Sequence, residues 1–467
     1  MKKEVNAPET TAATHDNSGN NTNETQAKNR KKERDPDLPN WMIDKNIVNE
    51  VEFCKFYLGS RNLKYISGHF YSVNGEVTSA ELAYDIGNII MKYVYFGLSK
   101  KVKNIIDALK IYCFCEPFQP KENEIHVNSG TLLTDGRFFP GKRFCLNRLN
   151  VNYDPEIWHR PPYYPEAFLT FLYDLLEPDD VITLQEYLGY LLIPSTRGQA
   201  ALFIIGSGGE GKSRLGVVLQ DIFGTSMVTG NFQRVETDRF FRYNLQNKLL
   251  MLDDDMQMNA LPSTGYIKNL ITAEIPIDIE AKGQQSEQAR IYSRFLCFGN
   301  GSPKALYDRS DGFARRLIIL TTKPKPENRR DDPFIANKFL AEKEKIFCWM
   351  LDGMKRLIDH DFHFTLSEKT RKNISEVMSE NCNIIDFLKE PGMVEFGSQF
   401  RVSSSDLFDA YDKWCSENAL TALKRETFIN WLKASEKKYN IVYTNTVTNG
   451  SGKRIRGFAG LKINKMF

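Results

Sequence analysis

Residues 201–213 read Ala-Leu-Phe-Ile-Ile-Gly-Ser-Gly-Gly-Glu-Gly-Lys-Ser, and they carry the clearest indication of the fold class. The apolar run at its start predicts a buried parallel strand. The glycines that follow predict a tight turn, and the spacing of Leu215, Val218, Leu219 and Ile222 predicts a helix after it. A strand, a glycine-rich turn and a helix in succession indicate an α/β fold with a parallel sheet.

The turn matches the GxxxxGK[ST] pattern, with Gly206, Gly211, Lys212 and Ser213 at the required places. Glycines let backbone N–H groups approach one phosphate, and the helix N-terminus adds a partial positive charge there. Lys212 can then reach the β- and γ-phosphates of ATP, while Ser213 takes one Mg²⁺ position. A glycine turn that binds nothing is the alternative. The residues expected around the nucleotide are Gly206, Ser207, Gly208, Gly209, Glu210, Gly211, Lys212, Ser213 and Arg214.

A second apolar strand ends in carboxylates downstream of this turn. Residues 248–255 read Lys-Leu-Leu-Met-Leu-Asp-Asp-Asp. Nucleotide hydrolysis needs one carboxylate near Mg²⁺ and a second group that polarises the attacking water. A solvated acidic turn after a core strand is the alternative, but the position of these acids after the glycine-rich turn favours the second half of an ATP site.

Two alternating segments, 275–280 and 289–298, flank Ala281-Lys282-Gly283-Gln284-Gln285. They predict a hairpin with Lys282 at its tip. The second segment runs into an apolar strand that ends at Asn300, whose amide can orient a water or contact the γ-phosphate. A simple turn residue is the alternative for Asn300.

A pair of arginines follows in residues 311–317, Asp-Gly-Phe-Ala-Arg-Arg-Leu. An arginine beside the γ-phosphate of a neighbouring subunit stabilises the charge that develops during phosphoryl transfer. Arg315 and Arg316 are the candidates, and a surface salt bridge is the alternative reading of the pair.

The C-terminal part changes character at about Val402. A helix over 405–415, a second helix over 424–438 and a basic hairpin over 441–461 follow the outline of a winged helix, which places one helix in the major groove of DNA. A lysine-rich helix that is only solvated is the alternative. The candidate DNA contacts are Lys424, Arg425, Asn430, Lys433 and Lys437 on the helix and Lys453, Arg454 and Arg456 on the hairpin.

The composition is that of a soluble globular protein. The 467 residues carry a net charge of only +3, so any basic surface for nucleic acid must be local. The eight cysteines are scattered without zinc-ligand spacing and are expected to be reduced. Since neither a signal peptide nor a long apolar run is present, we expect a cytoplasmic protein with no membrane partner.

Shifts in composition and pattern predict five parts. Within the second part we expect a hairpin over 65–77 with its turn at Asn74-Gly75, a capping box that begins at Thr78, and β structure over 124–153. The parts are a disordered tail (1–36), a small N-terminal α+β domain (37–163), the α/β nucleotide-binding core (164–325), a helical segment (326–395) and a winged-helix DNA-binding domain (396–467).

The order of these motifs resembles the superfamily 3 helicases, and most closely the helicase part of phage, plasmid and pathogenicity-island replication proteins. The resemblance covers residues 124–320 and extends to the N-terminal segment and the winged helix. It implies an AAA+ ATPase core that uses ATP and Mg²⁺, forms a hexameric ring and moves along single-stranded DNA, usually 3′ to 5′.

Carried over by position, the family's Walker A motif falls on 206–213 and its Walker B acids fall on Asp253 and Asp254. Its sensor asparagine falls on Asn300, and its arginine finger falls on Arg315 or Arg316. Its DNA-tracking lysine falls on Lys282. Ser213 and Asp253 are therefore the expected Mg²⁺ ligands. Asp254 stands where many relatives have Glu, so either Asp254 or Asp255 would polarise the water. Gly283 stands where several viral members have a histidine, which leaves the DNA contact to Lys282 and the backbone.

Many relatives carry a primase domain upstream. Here about 120 residues precede Glu124, and no paired-carboxylate primase motif is present. We expect no primer synthesis by this chain, and a separate primase or host replication protein as a possible partner.

The sequence therefore predicts an ATP-dependent DNA helicase and replication initiator of a mobile genetic element. A homo-hexameric ring would translocate on single-stranded DNA and unwind forked or origin DNA. Two alternatives stay open: an initiator that binds ATP and origin DNA without unwinding, and another P-loop enzyme such as a packaging motor or a small-molecule kinase.

Overall fold

The computed structural model describes residues 35–156, 164–256, 264–283, 285–301, 313, 315–326, 331–380, 383–418, 420, 422–448 and 454–464. The predicted disordered tail lies outside this part of the chain except for its last two residues, and so does Lys453.

The N-terminal unit is built from short strands and three helices around Trp41, Phe53 and Ile86. The capping box is confirmed, because the Thr78 side chain accepts from the Glu81 N–H and the Glu81 side chain accepts from the Thr78 N–H. The elements are β1 (Met42–Asp44), β2 (Ile47–Val48), α1 (Glu50–Leu58), β3 (Lys64–Ile66), β4 (His69–Ser72), β5 (Gly75–Val77), α2 (Ser79–Ile90) and α3 (Leu98–Tyr112).

The expected single hairpin over 65–77 is instead a three-stranded antiparallel meander, β3-β4-β5. Ser67 and Gly68 form an additional turn with positive φ values of 49° and 82°. The turn is tied to the rest of the molecule, since the Tyr243 hydroxyl donates to the Ser67 carbonyl at 3.0 Å.

The next segment contains three short strands and two helices that pack on the central sheet. Ile125, Leu132 and Tyr153 share one hydrophobic core with residues of both helices. Within the β structure expected over 124–153, residues 146–153 instead form an irregular segment, anchored by a hydrogen bond from the Asn150 N–H to the Ile222 carbonyl. The elements are β6 (Glu124–His126), β7 (Gly130–Leu133), β8 (Phe138–Pro140), α4 (Glu166–Leu175) and α5 (Pro178–Tyr190).

The centre of the molecule is a five-stranded parallel sheet in the order β10-β11-β14-β9-β15. Counted along the chain the order is 2-3-4-1-5, so the first strand lies between the fourth and the last. The elements of this region are β9 (Ala201–Gly206), α6 (Lys212–Phe223), β10 (Met227–Thr229), α7 (Phe232–Thr237), α8 (Arg239–Tyr243), β11 (Leu250–Met256), α9 (Gly265–Thr272), β12 (Ile277–Ile279), β13 (Glu287–Ala289), β14 (Arg294–Asn300) and β15 (Leu317–Thr321).

Both faces of this sheet are covered, which explains why β9 is apolar without alternation. Leu202 and Ile204 enter the core on one face, while Ala201, Phe203 and Ile205 enter the core on the other. Successive side chains of a strand point to opposite faces, so the run 201–205 serves two cores at once. The buried parallel strand predicted from this run is confirmed.

The C-terminal third contains long helices and a second sheet. The helix Lys343–Asp359 crosses α5 closely at two glycines: a Cβ on Gly189 would lie 2.2 Å from the Met354 nitrogen, and one on Gly353 would lie 2.1 Å from the Gln185 carbonyl oxygen. The elements are α10 (Ile335–Ala341), α11 (Lys343–Asp359), α12 (Glu368–Glu380), α13 (Asn383–Lys389), β16 (Val394–Ser403), α14 (Ser404–Glu417), α15 (Arg425–Ala434), α16 (Glu436–Tyr439), β17 (Val442–Thr448) and β18 (Arg454–Ile463).

The last unit runs helix, strand, three helices, strand, strand from α13 to β18. Its antiparallel sheet has the order β16-β18-β17 and packs on Phe387, Tyr411 and Phe428. Strand β16 was not predicted, since most of its residues are exposed or half-buried and show no clean alternation. The expected helix over 424–438 is broken at Ser435 into α15 and α16.

A buried ion pair joins the N-terminal meander to the central unit. Glu76 on β5 pairs with Lys248, and its other oxygen lies 2.8 Å from Nδ1 of His69. Although burial opposes the charge, the hydrogen bond with His69 and the positive charge of Lys248 lower the pKa of Glu76 to about 2. A carboxylate with a lowered pKa stabilises the folded state above its unfolded pKa, and this contribution is lost as the pH falls through the folded value.

We therefore expect Glu76→Gln to lower the free energy of unfolding at pH 7 by about 3 kcal/mol. The difference from the unchanged protein should shrink as the pH falls from about 4.5 towards 2, because the carboxylate of the unchanged protein is then protonated as well. Urea unfolding followed at several pH values measures this. The control is Glu52→Gln, which removes an exposed carboxylate paired with Lys55. An equal loss of stability in the control would contradict the stabilising role of the Glu76 carboxylate. A difference between Glu76→Gln and the unchanged protein that stays the same at all pH values would contradict it as well.

Candidate nucleotide-binding site

The glycine-rich loop, residues 206–213, lies at the carboxyl edge of the central sheet between β9 and α6. Gly208, Gly209 and Gly211 have φ values of 104°, 80° and 102°. Residues other than glycine rarely adopt such values, because their Cβ atom clashes with the backbone. These conformations turn backbone N–H groups inward at the start of α6. The loop thus has the geometry that anion sites at helix N-termini share.

The side chain of Glu210 lies inside this loop. Its carboxylate accepts from the N–H groups of Ser207 at 2.5 Å and Gly208 at 2.9 Å, and Glu210 is only 3% exposed. Burial opposes the charge, but the hydrogen bonds from Lys212 and the backbone hold the pKa of Glu210 below its ordinary value. The carboxylate therefore uses donors that a phosphate group would need.

Lys212 and Asn300, both predicted to lie at the nucleotide site, are in contact. The buried Nζ of Lys212 donates to Glu210 Oε2 at 2.8 Å and to Asn300 Oδ1 at 2.9 Å. Asn300 ends β14, which pairs with β9 through the register Asn300↔Gly206. Because parallel strands end at the same edge of a sheet, residues 88 positions apart meet here.

The acids at the end of β11 divide into different environments. The Asp254 carboxylate is hydrogen-bonded to the Ser213 hydroxyl, and burial raises the pKa of Asp254. Asp253, which we expected beside Ser213, instead accepts from the Phe232 N–H at 2.7 Å and from the Asp255 N–H at 3.3 Å. The pairing register of β11 against β14 shifts between Asp253 and Met256, which interrupts the strand alternation there. Asp254 and Asp255 line the cavity in front of the loop, whereas Asp253 is not part of that lining.

A cavity of about 1160 Å³ opens in front of the loop. Lys212, Ser213, Asp254, Asp255 and Asn300 line one wall. The opposite wall comes from α4 and α10 and includes Thr170, Phe171, Ile335 and Lys338. No sequence motif marks the residues of this wall, because only tertiary packing brings the two helices to the loop.

The two arginines lie at the other edge of the sheet. Leu317, the first residue of β15, pairs with Ala201, while Thr322 after β15 lies against Gly206 of the loop. Five residues of strand therefore separate the arginines from the loop of the same chain, about 16 Å at 3.3 Å per residue. Arg315 is exposed, whereas Arg316 is half-buried.

A hairpin is present as β12 and β13, which pair antiparallel through Ile277↔Ala289. Its first arm lies within the predicted segment 275–280, but its second arm is 287–289 and shares only Ala289 with the predicted segment 289–298. Ile279 and Ala289 anchor it in the core on one face of the central sheet. Lys282 and Gly283 are exposed in the connection, and Gly283 has a φ of 78°.

The C-terminal candidates are exposed on α15 and at the start of β18. Arg425, Lys433, Tyr443 and Arg456 line an open groove between α15 and the strands, and Lys433 Nζ lies 3.9 Å from the centre of the Tyr443 ring. All the candidates within the described residues are exposed: Lys424, Arg425, Asn430, Lys433, Lys437, Arg454 and Arg456.

In the described part of the chain, no helix combines the length and the apolar character that are needed to cross a bilayer.

Comparison with known proteins finds a match over the central unit and a broader likeness of fold. A family model described as "Family of unknown function (DUF5906)" matches residues 204–316, less than half of the chain. A search of curated proteins found no significant match.

Among solved structures, the chain is similar to "The apo structure of NrS-1 C terminal region (305-718)", with 15% identity, a TM-score of 0.50, and coverage of 88% of this chain and 99% of that one. It is also similar to "The A form apo structure of NrS-1 C terminal region-CTR", with 14% identity, a TM-score of 0.48, and coverage of 87% and 97%. At these identities the likeness is one of fold: a mixed α/β chain with a parallel five-stranded sheet, compatible with an α/β nucleotide-binding core.

Proposed function

We propose that this chain is an ATP-driven DNA motor with an AAA+ core of the superfamily 3 type. The observation that supports it best is the convergence of Lys212, Ser213, Asp254 and Asn300 at one edge of a 2-3-4-1-5 parallel sheet. We further propose that the unit from α13 to β18 is a winged helix, since its helix and strand order follows that outline.

The donor set at the loop fits ATP and Mg²⁺. Loop N–H groups and Lys212 suit the triphosphate, and the Ser213 hydroxyl with the carboxylates of Asp254 and Asp255 supplies oxygen ligands of the kind that Mg²⁺ takes from proteins. When bound, the ion neutralises charge on the β- and γ-phosphate oxygens. We assign the ligand role to Asp254 rather than Asp253, and the polarisation of water to Asp255 with Asn300.

The position of the arginines supports a role between subunits. Neither Arg315 nor Arg316 can reach the loop of its own chain across the length of β15. A neighbouring copy that packs the arginine edge of its sheet against the open cavity would complete the site. Arg315 is the better candidate because its side chain is exposed. A homo-hexameric ring is the assembly that we propose on this basis.

The DNA contacts in this proposal are of two kinds. Exposed Lys282 on its hairpin would contact phosphates of a single strand in the ring, which suits translocation because phosphates carry no sequence. The groove of Arg425, Lys433 and Arg456 would contact duplex DNA at an origin.

Unwinding of a forked duplex tests the proposal. With ATP and Mg²⁺ the protein should separate the strands, and it should not do so with a non-hydrolysable analogue. Electron microscopy of the same mixture should show rings with one strand in the channel. ATP-dependent assembly on duplex DNA without strand separation would instead support the non-unwinding initiator.

Glu210 must leave the loop before a phosphate can use the same N–H groups. Glu210→Ala is therefore expected to tighten ADP binding by about tenfold, the factor that applies if the carboxylate fills the loop in about nine-tenths of free molecules. Titration with a fluorescent ADP analogue measures the dissociation constant.

The matched control for this variant is Asp174→Asn, which removes a negative charge from the same cavity without freeing a loop N–H. An equal gain in both variants would indicate a general charge effect. No gain in Glu210→Ala would show that the carboxylate does not compete with phosphate.

A further inference from the structure

Two neighbouring aromatic rings of the N-terminal unit are left in solvent. Tyr95 is 72% and Phe96 is 68% exposed, in the connection between α2 and α3. Lys92, Lys100, Lys101 and Lys103 lie close to the rings in the chain, and Lys45 in the β1–β2 turn precedes Asn46, whose side chain contacts the backbone of both ring residues. We call these seven residues the aromatic–lysine platform. Large adjacent apolar groups left exposed on a folded unit commonly mark a binding site.

The rings are held by a fixed backbone. The side-chain oxygen of Asn46 accepts from the N–H groups of both Tyr95 and Phe96, and the Asn46 N–H donates to the Tyr93 carbonyl at 3.2 Å. Lys101 Nζ donates to the Phe96 carbonyl at 3.1 Å and lies 5.0 Å from the centre of the Phe96 ring. Rings positioned before a ligand arrives lose little conformational entropy on binding.

The charged residues of the segment that carries the rings are all basic. Residues 86–106 contain four lysines and neither aspartate nor glutamate. Three of these lysines lie in the first two turns of α3, whose N-terminus has no acidic residue and no side-chain cap. Cations at the positive end of a helix dipole are unfavourable, so this end of α3 favours an anion. The neighbouring acid on the β1–β2 hairpin, Asp44, accepts from the Lys45 N–H within its own turn.

We propose that the aromatic–lysine platform binds single-stranded nucleic acid. Exposed rings offer faces on which bases stack, and lysines pair with the phosphates between them, which is the combination that single-strand binding surfaces use. A duplex would hide its base faces from the rings. A second copy of this chain, packed through the same patch, would bring lysines against lysines. The inference extends the proposed function by giving the N-terminal unit a role in holding the strand, but it does not depend on ATP hydrolysis.

Photocrosslinking tests the platform directly. Nucleotide-free full-length protein is mixed with oligo(dT) in which iododeoxyuridine replaces some thymidines, irradiated, digested and analysed by mass spectrometry. We expect crosslinked peptides that contain Tyr95 or Phe96. Crosslinks confined to the Lys282 hairpin or to the C-terminal groove would overturn the proposal.

Binding measurements provide the second test. By fluorescence anisotropy, Tyr95→Ala and Phe96→Ala should each weaken oligo(dT) binding by about tenfold, and Phe96→Tyr should restore most of the affinity. Lys100→Gln and Lys103→Gln should each reduce the slope of log affinity against log salt by about 0.7. Because the rings are mostly exposed, the alanine variants should keep the melting temperature of the unchanged protein.

The control is Phe114→Ala, which removes a ring that is 67% exposed beyond the other end of α3, about 22 Å along the helix. Its affinity for oligo(dT) should not change. If the platform variants bind as tightly as the unchanged protein but alter the oligomeric state in mass photometry, the patch is a contact between protein copies and the proposal fails. If the unchanged protein neither hydrolyses ATP nor unwinds DNA, the proposed motor function is refuted, but the binding measurement on the platform still stands.

Discussion

Replacement of Lys212 by alanine is expected to lower ATP hydrolysis by about 10²- to 10³-fold, the cost of removing one charge-stabilising donor from a catalytic site. Lys212 Nζ is buried between the Glu210 carboxylate and the Asn300 amide, at the point where the glycine-rich loop meets the end of β14. No other lysine lines the loop side of the cavity, among the residues that the structure describes. Release of inorganic phosphate in the presence of Mg²⁺ measures the effect.

The variant leaves the Glu210 carboxylate in the loop without its ammonium partner, so its melting temperature must be followed as well. The double variant Lys212→Ala/Glu210→Gln removes both charges, and we expect it to fold like the unchanged protein and to remain inactive. Lys343→Ala is the matched control, since Lys343 pairs with Asp221 on α6 away from the cavity lining. Full hydrolysis by a folded Lys212→Ala protein would exclude an ATP site at this loop.

Replacement of Arg315 by alanine is expected to reduce hydrolysis by about 10³-fold, the lower end of the effect of arginine fingers. The reason is positional: the arginines lie beyond the amino end of β15, and the loop lies beyond its carboxyl end, so one chain cannot bring the two together. Mixing inactive Arg315→Ala protein with inactive Lys212→Ala protein should restore part of the activity. In a mixed assembly, some interfaces pair an intact loop with an intact arginine.

Arg316→Ala serves as the comparison for this experiment. It removes the same charge one residue further along, from a half-buried side chain, and burial together with the neighbouring Arg315 lowers the pKa of Arg316. We expect it to lower the melting temperature more than the rate of hydrolysis. Unchanged activity in Arg315→Ala, or a mixture that stays inactive under conditions where the subunits exchange, would exclude a shared site of this form.

Local patterns were enough to place the elements that surround the loop. The apolar run 201–205 is buried on both faces, the glycines take positive φ values, and α6 begins at Lys212. The capping box at Thr78 forms where its residues indicated, and the first arm of the hairpin that carries Lys282 does so as well, although its second arm is 287–289 rather than 289–298. These features depend on interactions between residues close in the chain, and their sequence signals are therefore local.

Strand β16 was not predicted, and the three-stranded meander over 64–77 was predicted as a single hairpin. Neither element is marked by a local sequence signal. Most of β16 is exposed or half-buried, so burial does not impose an alternating pattern on its sequence. The turn at Ser67 and Gly68 is tied by Tyr243, which is distant in the chain. Contacts of this kind leave no periodicity that a single sequence could reveal.

Local sequence patterns suffice to predict that a strand, a glycine-rich loop and a helix stand in succession, with carboxylates, an amide and two arginines at the ends of later strands. Which of these residues meet depends on how the strands pair and the helices pack. The register of the parallel sheet joins Lys212 to Asn300, the irregular end of β11 turns Asp254 rather than Asp253 towards Ser213, and packing brings α4 and α10 across the cavity. The same sheet places Arg315 at the edge opposite the loop, because a strand has two ends and a parallel sheet keeps them apart.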